Sequence, residues 1–291
     1  MYINYKIFII IIFLTIGVRI IHSIEENISL LKCTDFKPES LDIHSAAFFG
    51  CNDRIEYLLK NHADINQFGG NGNTPLITAV EMKNIKTVKF LLQKGAKPNF
   101  FSEGGYRSPL MAATFEDTGI IKLLIDYGAD VNLQNKNGIS PLFNAVTFDR
   151  LDIIKLLLAH GADINPKSGL KPILAAVSVK IFEFLVSQGA DPWSRWPEGD
   201  LMIYNVAMQG SSDLLQKLTD LGMGVNSFNH KGYTPLMLAA SFGKLENVKI
   251  LVKAGANIQI ENKKGQTSLD LAKEEGHKEI IDYLQSLSGS K

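Results

Sequence analysis

Cysteine is almost missing from this chain of 291 residues, which holds two, Cys33 and Cys51. That excludes a thiolate cage for a metal and a dense disulfide framework, and leaves room for one bridge. An excess of charge of one sign is also missing, with 30 lysines and arginines against 30 aspartates and glutamates. A nucleic-acid site needs a clustered basic face, and spots such as Lys263-Lys264 read as solvated surface. Histidine is sparse: His22, His44, His62, His160, His230 and His277 lie far apart, with no cysteine or second histidine at metal-ligand spacing. The glycine-rich stretches Gly69-Gly70-Asn71-Gly72 and Gly104-Gly105 lack the lysine that follows a phosphate-cradling loop, so they read as turns. No nucleophile, base and orienting group stand out together. The expectation is a protein that is not an enzyme, with no catalytic residue, no metal and no cofactor.

A long membrane-spanning run is absent too. Ile7–Val18 is uncharged and apolar, but a helix over that length covers about 18 Å, against a hydrocarbon core of about 30 Å. Lys6 precedes it and a polar-ended stretch to Ser23 follows, which is the layout of a secretory signal peptide. Residues 1–23 are read as that signal, with an uncleaved anchor as the alternative if the helix continues through Arg19 to Ile21. Cleavage removes Lys6 and Arg19 and no acid, leaving 28 basic against 30 acidic residues. Both cysteines remain, and an oxidising compartment makes a Cys33–Cys51 disulfide the expectation, worth about 3 kcal/mol for a loop of this size. The alternative is two buried thiols.

What is present is repetition. Tracts of the kind Gly128-Ala129-Asp130-Val131-Asn132 recur, with the glycine slot at His62 and then at Gly95, Gly128, Gly161, Gly189, Gly222 and Gly255. The steps are 33 residues throughout, except for one of 28 between Gly161 and Gly189. Thr74-Pro75-Leu76, Ser108-Pro109-Leu110, Ser140-Pro141-Leu142 and Thr234-Pro235-Leu236 each place a hydroxyl at a helix N-cap and proline at the first helical position. Small alanines follow. A second helix then carries apolar residues seven, four and three places before the glycine slot, as in Val88/Leu91/Leu92 and Val248/Leu251/Val252, all on one face. The glycine supplies a left-handed C-cap, and at 62 a histidine is expected to adopt that conformation.

A period of about 33 residues with these tracts resembles the ankyrin-repeat family. The resemblance covers residues 41–291 as about eight units, the fifth shortened and the last a polar C-terminal cap, with 24–40 as an N-terminal capping segment. It implies an all-α repeat solenoid, with stacked helix pairs and β-hairpin or loop fingers. The family's histidine after Thr-Pro-Leu survives only as His44. Ile77, Met111, Phe143, Leu174, Tyr204 and Met237 fill the slot elsewhere, so apolar packing is expected to replace a polar contact between repeats. The short fifth unit is expected to bend or shear the stack.

In such a family, function lies in the fingers and the concave face. Fingers here carry Phe68, Phe100, Phe101, Tyr106, Trp193, Trp196, Phe228 and Tyr233, and the positions after the alanines carry Phe48, Phe49, Met82, Phe115, Phe148, Met208 and Phe242. The partner-binding set read from the sequence is Phe68, Phe101, Tyr106, Phe148, Trp193, Arg195, Trp196, Phe228, Tyr233 and Phe242, because surface aromatics and arginine mark interfaces. Trp193-Ser194-Arg195-Trp196 is the densest stretch, and its alternative is filler for the shortened repeat. The resemblance extends to a periplasmic or secreted bacterial envelope protein, monomeric when free, that binds a protein partner. An immunity protein or inhibitor against a periplasmic toxin is the first expectation. A structural adaptor and a host-directed effector are the alternatives.

Overall fold

The computed structural model describes residues 41–114, 118–209 and 211–288. The expected signal segment, N-terminal cap, Cys33 and Phe115 lie outside them. Fifteen α-helices and one 3-10 helix make up the regular structure of the described residues, with no strand beyond an isolated bridge between Arg195 and Leu201. The helices come in short pairs: α1 (Ile43–Phe49) with α2 (Asn52–Lys60), α3 (Pro75–Glu81) with α4 (Ile85–Gln93), and α5 (Pro109–Ala113) with α6 (Thr118–Asp126). After them come α7 (Pro141–Thr147) with α8 (Leu151–Ala159), the 3-10 turn Pro172–Ala175 with α9 (Val179–Ser187), and α10 (Met202–Gln209) with α11 (Ser212–Asp220). The last pairs are α12 (Pro235–Ser241) with α13 (Leu245–Lys253) and α14 (Ser268–Glu274) with α15 (Lys278–Ser288).

Contacts divide the chain into two compact units. One runs up to Ala112 and includes Lys122–Gly128, and the other holds Ala113–Ile121 and everything from Ala129 on. Within the first, α1 packs against α2 and α3, and α3 against α4. Within the second, α12 packs between α10 and α14, while α11 and α13 pack side by side as the outer layer.

The hydroxyl caps form as the sequence requires. Thr74, Ser108, Ser140 and Thr234 each accept the backbone N–H three residues on, at 3.1–3.3 Å. Apart from half-buried Leu58, the second helices bury the positions seven and four places before the glycine slot, with Ile55, Val88, Leu91, Ile154, Leu157, Leu185, Leu215, Leu218, Val248 and Leu251 sealed from solvent. The third position of the pattern departs from expectation. Leu92 is buried, Leu158 and Val252 are half-buried, and Val186 is 37% exposed, because that position turns toward the rim of the helix pair. The residue one place before the pattern is the one that joins the core, as Ile153, Ile181 and Leu214 show. All the slot glycines have left-handed φ, and His62 shares it at 69°. Fingers three and four meet at two further glycines: a Cβ on Gly138 would lie 2.8 Å from the Cα of Gly169, and Leu170 N–H donates to Gly138 O at 2.8 Å.

The 28-residue step has a local cause. The first helix of the fifth pair shrinks to a single 3-10 turn, and Lys171 at its N-cap has no oxygen with which to cap it. His44 Nε2 lies 3.0 Å from Gln67 O, keeping the polar contact expected of it. Ile77, Met111, Phe143, Leu174 and Met237 are buried as apolar replacements. Tyr204 corrects that reading: its phenol reaches Ser227 Oγ at 2.8 Å, so a polar bond to the next finger survives there in another chemical form.

Candidate partner-binding surface

Several fingers are loops closed by cross-turn hydrogen bonds, such as Gly69 N–H to Asn73 O and Asn229 N–H to Tyr233 O, both 2.9 Å. Neighbouring loops are tied by the asparagines that end five of the tracts. Asn66 Oδ1 accepts from Lys97 N–H, and Asn99 Nδ2 donates to Gly128 O. Asn132, Asn165 and Asn226 do both at once: Nδ2 donates to the O of Gly161, Gly189 and Gly255, while Oδ1 accepts from the N–H of Asp163, Asp191 and Asn257. A side-chain amide offers a donor and an acceptor on one planar group, which fits two backbone groups of the next tract. The sequence reading assigned these asparagines no role, although one closes the tract Gly128-Ala129-Asp130-Val131-Asn132.

At the fifth tract this slot holds Trp193. An indole donates but cannot accept, so the paired bonds cannot form. The ring is 46% exposed instead. Its backbone is held by Asp191, whose Oδ1 accepts Trp193 N–H at 3.0 Å. Arg195 is exposed, and its guanidinium is anchored on Gly199 O at 2.7 Å.

Trp196 must be corrected. It is 6% exposed, with its ring edge-on to Phe143 at 6.3 Å and 80°. Trp196 thus belongs to the core and not to a surface. Beside it, burial pushes the Tyr204 phenol up from its ordinary pKa. The Ser227 bond opposes that shift, and the Asp200 charge adds to it.

The other sequence-derived positions fall as follows. In the first unit Phe68 and Phe100 stack with ring centroids 5.7 Å apart and 9° between planes, with Lys97 Nζ 5.6 Å from the Phe100 ring. Phe68 and Tyr106 are about half exposed and Phe101 is half-buried. Arg107, beside Tyr106, is ion-paired with Glu81. In the second unit Phe228 is 53% exposed and Tyr233 half-buried on one finger. Phe148 and Phe242 are the C-cap residues of α7 and α12, the first half-buried and the second 39% exposed.

Short helix pairs, glycine-capped and bridged loop to loop, with apolar rings left on the loops, define a repeat protein of the interaction class. The family model for ankyrin repeats in three copies matches residues 30–102, 110–195 and 203–290. The chain belongs to the ankyrin-repeat family. It is similar to the Notch-regulated ankyrin repeat-containing protein A of Danio rerio, 44% identical over 71 residues that span 24% of this chain and 63% of that protein. The human Notch-regulated ankyrin repeat-containing protein is 42% identical over 76 residues, 26% of this chain and 67% of that protein. Alpha-latrocrustotoxin-Lt1a of Latrodectus tredecimguttatus is 32% identical over 120 residues, 40% of this chain but 8% of the toxin. The matched stretch thus spans about two thirds of the vertebrate relatives and a small part of the toxin. Ankyrin repeats imply protein–protein interaction, and no helix among the described residues is long and apolar enough to cross a membrane.

Proposed function

We propose that this chain is a non-enzymatic binding protein that holds a protein partner on its finger aromatics, with Trp193 as the principal contact in the second unit. The carrying observation is the exposure of Trp193 at a tract end where the neighbouring units place a bridging asparagine. A large ring left in water is retained where something covers it. Phe68, Tyr106, Phe228 and Phe242 are the further contacts. The relatives support a binding module, and their alignment over about a quarter of this chain names no partner for it.

The finer reading places the protein outside the cytoplasm as an immunity or inhibitor protein against a toxin, in preference to a structural adaptor. The apolar run after Lys6 supports export. The Cys33–Cys51 bond belongs to the same reading, with Cys51 buried just before α2. The test is capture of partners by the protein from its own cells, with Trp193→Ala and Phe228→Ala used alongside. The reading requires a partner whose affinity drops at least about 30-fold with Trp193→Ala, the equivalent of about 2 kcal/mol. A partner held equally well by both variants overturns it. N-terminal sequencing should find a start near Ile24, and intact Met1 on a cytoplasmic protein would refute export.

A further inference from the structure

The turn that follows Trp193 carries a group of side chains that the binding reading does not use. Glu198 and Asp200 on this finger and His230 on the next present one ligand atom each, all within 4.8 Å of one another. Asp200 is buried, and both its oxygens face His230: Oδ1 accepts the backbone N–H at 2.8 Å, and Oδ2 lies 2.6 Å from the ring Nδ1. Independently of that contact, Glu198 Oε1 is shut off from solvent with no hydrogen-bond donor. A carboxylate oxygen in that condition carries an uncompensated desolvation cost.

We infer that Glu198, Asp200 and His230 form a binding site for a divalent transition metal of the zinc type, clamping the fifth finger to the sixth. Two carboxylates and one imidazole are a hard-to-borderline donor set that suits zinc and its neighbours and leaves a fourth position for water. Calcium and magnesium prefer all-oxygen shells, so the imidazole argues against them. Bonds of about 2.0–2.2 Å in a tetrahedron set ligand atoms about 3.3 Å apart. The His230 ring, exposed on its finger, would swing outward slightly from Asp200, and Glu198 would bring its unpaired oxygen inward. The ion would satisfy that oxygen and neutralise two adjacent carboxylates. It would also supply a tie between fingers at the place where Trp193 removes the asparagine bridge. The sequence concealed the site because its ligands come from loops 30 residues apart, far outside any local metal-ligand spacing.

The test is titration of the full chain, purified without a histidine tag and stripped of metal, with zinc chloride, followed by calorimetry. Emission of Trp196, two residues from Glu198, serves as a local reporter in the Trp193→Phe background. The expected result is one saturable site that calcium and magnesium do not compete for. Glu198→Gln and His230→Asn should each weaken it about tenfold or more. Loss of the exposed histidines by His62→Asn and His160→Asn should leave it unchanged. Glu198→Gln keeps shape and volume, so its effect is readable even if His230→Asn folds poorly. No saturable zinc binding, equal competition by calcium, or binding that tracks His62 or His160 overturns the site.

Discussion

Two junctions in the second unit differ by a single slot. At Asn165 the tract is tied to the next by Nδ2 to Gly189 O at 2.7 Å and Oδ1 from Asp191 N–H at 3.2 Å. One tract later Trp193 stands where the amide would be, and the next finger is held by other means: the Tyr204–Ser227 bond and the Asp200–His230 contact. The helix caps follow the same division. Thr234 and Thr267 cap the later units, while Lys171 and Leu201 stand where a hydroxyl is missing. A ladder of asparagine side chains bonded to backbone groups is generic. Replacing one rung by tryptophan makes that junction individual, and the buried residues around it have to supply what the ladder gave.

If that is the division of labour, the largest effect belongs to Trp196. Trp196→Ala should lower stability by about 3–5 kcal/mol, read as a denaturant midpoint shift, since it empties a packed site against Phe143. Trp193→Ala should change stability by no more than about 0.5 kcal/mol, because the ring it removes is half in water. The opposite ordering would return Trp196 to the surface and undo the comparison.

A rung can also be removed or restored. Asn165→Ala strips a donor and an acceptor from two backbone groups and should cost about 1–2 kcal/mol, below the full penalty because water can reach the site. Trp193→Asn should raise stability by up to about 1 kcal/mol, by offering Gly222 O and the N–H of Gly224 the same paired bonds. If the exposed ring binds the partner, that variant gains stability while losing affinity. A variant that gains neither bond strength nor stability would mean the junction cannot accept a rung at all.

These residues also show what was legible. Glycine slots, Thr-Pro-Leu caps and the helical period are local, so the solenoid and its pairs follow from the sequence, down to the left-handed His62. The fate of the two tryptophans does not. Trp193 and Trp196 are three residues apart in one loop with similar neighbours. What separates them is Phe143, 53 residues before Trp196 in the sequence, against which only Trp196 packs. The Glu198–Asp200–His230 group is non-local in the same way. Tyr204 was concealed for a different reason: a tyrosine in a histidine slot reads as apolar until its hydroxyl is placed opposite Ser227.

The smallest effect tests the regular side of the comparison at its far end. Thr267 and Asp270 form a reciprocal cap on α14: Asp270 N–H donates to Thr267 Oγ1 at 3.3 Å, and Asp270 Oδ2 accepts Thr267 N–H at 3.0 Å and its hydroxyl at 2.7 Å. The backbone bond from Thr267, and after it the side-chain bond, hold the Asp270 carboxyl below its usual range. A carboxyl whose folded pKa lies below its unfolded value stabilises the protein above the unfolded value, about 3.9, and that contribution fades as pH falls through the folded one. Asp270 is exposed, so its share is less than the roughly 1 kcal/mol expected for Thr267→Ala. Melting temperatures of the parent and of Asp270→Asn should therefore differ slightly at neutral pH and converge on acidification below about pH 4. A gap that persists at low pH would show that the carboxylate is not what caps this helix. The first helix of the fifth pair, with Lys171 at its cap, has no comparable group, so a Lys171→Thr variant should acquire stability without any new dependence on acid.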